Sequence, residues 1–71
     1  MPEYIGNYLN AIAKFHGTKV YADNIMRYWN DIESANVNND IKSLDIAYEN
    51  LTAEATACEA YLREHKIPLN S

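Results

Sequence analysis

At 71 residues the chain holds one small core, so two independent domains are excluded, and a fold of this size commonly leans on disulfides, metals or association with another chain. A single cysteine rules out an intrachain bridge, and the two histidines, His16 and His65, are too far apart in sequence for ligand spacing, which leaves association as the expected staple. The net charge is −4, from ten acids against six bases that are scattered rather than clustered, and this disfavours direct nucleic-acid binding.

From Glu3 to His16, the residues Ile5, Tyr8, Leu9, Ile12, Ala13 and Phe15 recur at three- and four-residue spacing and predict an amphipathic first helix. Pro2 suits its first turn, where a missing N–H is harmless. Gly17, directly after the run, is expected to close the helix in a left-handed conformation. Thr18 is the expected N-cap of a second helix over about 19–35, with Tyr21, Ile25, Tyr28, Ile32 and Ala35 on one inward stripe. Asn36-Val37-Asn38-Asn39 then reads as a short loop, because asparagine competes for backbone hydrogen bonds.

A third helix is expected over about 39–66, capped by Asn38 or Asn39, with Asp40 in its first turn and Pro68 setting its latest end. Along it Ile41, Leu44, Tyr48, Leu51, Ala55, Cys58, Leu62 and His65 alternate steps of three and four without a slip, a heptad stripe. A break near Asn50 with a fourth helix capped by Thr52 is the alternative. One helix is favoured, because a turn has no reason to leave the stripe in phase on both sides. Such a helix is roughly 40 Å long against about 20 and 25 Å for the first two, so they leave part of its stripe uncovered. A second chain is expected there, a homodimer or another protein.

No arrangement in the sequence carries chemistry. Glu54, Cys58 and His65 share a helix, but a mid-helix cysteine on an apolar stripe is a packing residue whose thiol pKa rises. No glycine-rich phosphate loop, Ser-His-Asp arrangement or Cys-x-x-Cys is present, so no catalytic, cofactor or metal residue is assigned and no enzyme is expected. The acids Asp45, Glu49, Glu54, Glu59 and Glu64 are spread around the third helix and read as a solvated face, with Glu59 and Arg63 spaced for an ion pair. Ala13, Gly17 and Val20 fall near helix-turn-helix positions, yet Asp23 sits where an apolar residue belongs and only Arg27 is offered to a duplex. The first residues lack a basic, apolar leader and no long apolar run follows, so a cytoplasmic chain without a membrane span is expected.

The sequence therefore predicts an all-α, single three-helix domain over 1–71, a helical hairpin plus a long third helix, associating with itself or a partner. Its expected role is a small acidic protein–protein interaction module, regulatory, inhibitory or assembly-related, with size alone pointing to a bacterial or phage accessory protein. A helix-turn-helix DNA-binding regulator is the alternative. Partner contact is expected through Met26 and Trp29 on the second helix and Tyr48, Leu51, Ala55, Cys58 and Leu62 on the third.

Overall fold

The structure is a computed structural model that describes residues 2–67. Three helices follow one another, α1 (Glu3–Ala13), α2 (Lys19–Val37) and α3 (Ile41–Glu64), with no strand among the described residues. The expected all-α three-helix domain is thus what forms. α3 runs unbroken through Asn50, so Thr52 starts no fourth helix. Pro68, the expected stop, lies outside the described residues.

α1 begins on Pro2, whose carbonyl accepts the N–H groups of Ile5 and Gly6, each at 3.1 Å. It ends at Ala13, three residues before the expected His16, and Thr18 is the reason. The Thr18 hydroxyl is fully buried and donates to the Ile12 carbonyl, the acceptor that one more helical turn would have used. Thr18 does precede α2, but its side chain makes no N-cap bond there; it closes α1 behind it. Gly17 is not left-handed, as no glycine has positive φ. Its need is space: a Cβ at Gly17 would overlap the Tyr61 ring and hydroxyl on α3.

The turn between α2 and α3 uses Asn39 where a glycine is commonest. Asn39 has φ 53°, its N–H bonds the Asn36 carbonyl at 3.2 Å, and the Asp40 N–H reaches back to Ala35 at 2.9 Å. These are the two bonds of a Schellman cap, so α2 extends to Val37 rather than Ala35. Asp40, not Asn38 or Asn39, is the N-cap of α3. Its carboxylate accepts the Ser43 N–H at 3.1 Å and the Ser43 hydroxyl at 2.7 Å, and those two bonds hold its pKa below the ordinary value. The same cap recurs at the far end of α3, where Lys66 has φ 53°, its N–H bonds Arg63, and the Ile67 N–H bonds Leu62. Ile67 then folds onto the core, the apolar contact that accompanies this motif.

α2 packs along α3 and α1 packs on α2. Leu9 and Ile12 of α1, Ala22 and Ile25 of α2, and Cys58 and Leu62 of α3 form the main core. Ile32, Ala35 and Ala47 are also buried, but lie beyond it, where α2 and α3 face each other alone. The expected heptad stripe holds only in part. Cys58 and Leu62 are buried and Leu44, Leu51 and Ala55 half-buried, whereas Ile41, Tyr48 and His65 are exposed and Ala47, off the stripe, is buried.

Two sets of substitutions test these assignments. Asn39→Gly and Lys66→Gly should each raise stability by about 0.5–1 kcal/mol in urea unfolding, since glycine enters the left-handed region freely. Gly17→Ala should cost about 1–3 kcal/mol by overpacking against Tyr61, and Tyr61→Phe should restore part of that loss.

Candidate docking surface

The geometry of interest starts from helix length. At 1.5 Å per residue, α1, α2 and α3 with their 11, 19 and 24 residues are about 16, 28 and 36 Å long. α1 therefore covers one half of the groove between the other two. Its place is fixed by Tyr8, whose hydroxyl donates to Glu59 Oε1 at 2.6 Å and lies 3.7 Å from Cys58 Sγ. Glu59 thus marks the side of α3 that α1 approaches.

Ile41 precedes Glu59 by eighteen residues, five full turns, and Tyr48 lies within about 20° of the same line. Both side chains thus share the line of Glu59, which stays exposed although Tyr8 reaches it, so they stand at the outer edge of the side that α1 approaches. Ile41 is 73% exposed and Tyr48 49%, while Leu44 and Leu51, three residues after each of them, are half-buried. Val37 at 80% and Ile46 at 49% are exposed at the same end of the hairpin, Ile46 on the opposite side of α3 from Ile41. Among the described residues, four of the seven exposed large apolar side chains thus fall within residues 37–48.

Charge is concentrated at the same end. Residues 28–50 carry Asp31, Glu33, Asp40, Asp45 and Glu49 against Lys42 alone, which accounts for the whole net charge of −4. The rest of the chain balances Glu3, Asp23, Glu54, Glu59 and Glu64 with Lys14, Lys19, Arg27, Arg63 and Lys66. On the side facing away from α1, Asp31, Ser34, Asn38, Asp40, Ser43 and Asn50 border a shallow groove of about 340 Å³ floored by Ala35 and Ala47. No group of three or more potential metal ligands occurs among the described residues.

The residues expected to meet a partner are divided by the fold. Cys58 and Leu62 lie inside the chain's own core, and Leu51 and Ala55 pack against it. Tyr48 is open, and Met26 is 40% exposed on α2. Trp29 is half-buried, and its indole N–H is enclosed with no acceptor among the described residues. Ile41 and Val37 are part of the surface that sequence reasoning missed. Ile41 lies on the expected heptad stripe, part of which the shorter helices are expected to leave uncovered, and Val37 lies in the expected loop, but neither is among the expected partner contacts. Comparison with protein-family models, with curated proteins and with solved structures returns no match.

The buried groups behave as packing groups. Burial pushes the Cys58 thiol above its ordinary 9.0, with smaller contributions from Glu59 and Glu54. Burial, followed by the bond to Glu59, raises the Tyr8 phenol above its ordinary 10.0, because an ionised phenol could neither be solvated nor donate to a carboxylate. Both raised values favour the protonated form in the fold, so their contribution is complete below pH 9 and is lost as the unfolded chain ionises above it. Urea midpoints measured from pH 8 to 11.5 should be level up to about pH 9 and then fall. Tyr8→Phe should start lower and fall less steeply.

Proposed function

We propose that this chain is a small acidic interaction module, a regulatory, inhibitory or assembly accessory protein that works by docking on another protein. The observation that carries this reading is the exposure of Ile41 and Tyr48 on one side of α3, with Val37 at the same end, on the half of the hairpin that α1 leaves uncovered. An apolar surface of this kind costs solubility unless it is used, and a helix-lined groove is a common receptor for a helix. The reading involves no catalytic step and no cofactor.

A cytoplasmic setting fits a lone, buried cysteine kept as a thiol. No helix among the described residues is long and apolar enough to cross a membrane. A bacterial or phage origin is carried only by the size of the chain. Self-association through α3 was the occupant expected from the heptad stripe; with Cys58 and Leu62 enclosed by α1 and α2, the surface left for it is the N-terminal half of α3. DNA binding would require α2 to present cations to a duplex. Its exposed side offers Asp23 beside Lys19 and Arg27, and the Arg27 guanidinium bonds Asn24 at 3.1 Å and lies 5.7 Å from the Tyr28 ring centroid.

Site-specific photocrosslinking in the native host tests the assignment. A benzophenone side chain at Ile41 or Tyr48 should give one discrete protein adduct, and the same group at Asp23 or Lys14 should give none. Equal labelling from all four positions, or none from any, would sink the interaction-module reading. At 50 mM salt, duplex DNA should show no mobility shift; a shift abolished by Arg27→Ala would put the DNA-binding reading in its place.

A further inference from the structure

The assignment of a protein partner leaves open what chemistry that partner presents. Resting on that assignment, we infer that the open half of the α2–α3 groove receives a Lys/Arg-rich amphipathic helix, laid end to end with α1. Its apolar stripe would lie on Ile41, Leu44 and Tyr48, and its cations would face Asp45 and Glu49.

Length, surface and charge support this occupant independently. α3 exceeds α1 by about 20 Å, room for roughly thirteen residues of helix in the channel that α1 already occupies over its first half. The wall of that channel is apolar at the three- and four-residue spacing that a helix reads, and the half-buried Leu44 and Leu51 alternate with the exposed Ile41 and Tyr48. Asp45 lies one turn after Ile41 and one turn before Glu49, so the outer rim of α3 is acidic along the exposed stripe.

The occupant follows from the sign and placement of the charge. Because residues 28–50 hold the whole net charge of −4, a second copy docked by the same half would set two such ends against each other. An acidic or neutral partner helix would gain nothing from the rim. A cationic one meets Asp45 and Glu49 along the outer edge of the apolar strip, and both parts of the surface then contribute to one contact.

The test uses purified chain and a fluorescein-labelled fourteen-residue peptide with leucine at heptad a and d positions, lysine flanking them and alanine elsewhere. A second peptide replaces every lysine with glutamate. Fluorescence anisotropy should show the lysine peptide binding at least about tenfold more tightly than the glutamate peptide at 50 mM salt, and weakening about tenfold by 300 mM, as screening of facing charges requires. Ile41→Ser with Tyr48→Ser should weaken it by about tenfold, while Val20→Ser, an exposed apolar residue outside the groove, should change nothing. All three sites are exposed, and circular dichroism should show the fold unaltered.

Failure separates the two claims. Equal binding of both peptides, lost in the double variant, would keep the docking surface and overturn the cationic partner. Lysine-peptide binding that ignores the double variant would be charge attraction alone and would overturn the groove as its site. Binding of neither peptide would overturn the proposal, and so would a stable mass near twice 8.1 kDa that the double variant reduces to one chain, because a second copy would then fill the groove.

Discussion

An eleven-residue helix laid in a groove between helices of nineteen and twenty-four residues can shield only part of it, and most of what distinguishes this chain descends from that mismatch. Where α1 lies, three helices surround a core of Leu9, Ile12, Ile25, Cys58 and Leu62. Past its start, two helices face each other alone, and alanine replaces leucine at the contact: Ala35 and Ala47 are buried there beside Ile32. Small side chains let two helices approach closely without a third, but they bury little apolar area. The molecule is accordingly elongated, 39 Å by 21 Å by 16 Å, with its firm end and its open end at opposite poles.

What fixes the length of α1 is a single buried hydroxyl. Thr18 takes the Ile12 carbonyl, so the chain leaves the helix after Ala13 and crosses to α2 within five residues. That short crossing brings Gly17 under the Tyr61 ring, and Tyr61 in turn stacks on His65 at 4.1 Å between centroids and meets Tyr21 at 6.0 Å. The aromatic cluster and the Tyr8–Glu59 bond tie all three helices together at the firm end. At the other pole the connection between α2 and α3 is the Asn39 turn and the Asp40 cap. Both turns accept a strained backbone residue, Asn39 and Lys66, in positions where glycine would relax it. With only two glycines in the chain, neither at a helix end that needs positive φ, closure depends on backbone hydrogen bonds instead.

The helices were legible because their signals are local. The spacing of Tyr21, Ile25, Ile32 and Ala35, and the unbroken phase from Leu44 to Leu62, identify α2 and α3 without tertiary information. The ends were misread for one recurring reason: several residues can supply a cap, and the fold decides which. Thr18, Asn38 and Asn39 all carried plausible capping chemistry, yet Thr18 faces backwards and Asp40 caps α3. The surface was misread because exposure is not local. A heptad stripe shows that one side of α3 is apolar, but which half of it the chain covers depends on where α1 sits, and Tyr8 contacts residues about fifty positions away. Met26 and Tyr48 could be placed on a partner-facing surface from spacing alone; the exposure of Ile41, and the burial of Cys58 and Leu62, could not.

Charge placement joins the structural argument to the functional one. Acids gathered at the open end repel one another, which costs stability where two helices face each other without the third. A sequence selected for stability alone would mix the signs there, as it does over the rest of the chain, where five acids face five bases. Keeping the imbalance beside Ile41 and Tyr48 makes sense if relief comes on contact, because a ligand that binds only the folded chain stabilises it through its own affinity. A cation-bearing surface would remove the repulsion and the apolar exposure together. On the proposed reading, the repulsion that costs the open end stability in the isolated chain is what makes it receptive, and the shortness of α1 leaves room for that contact.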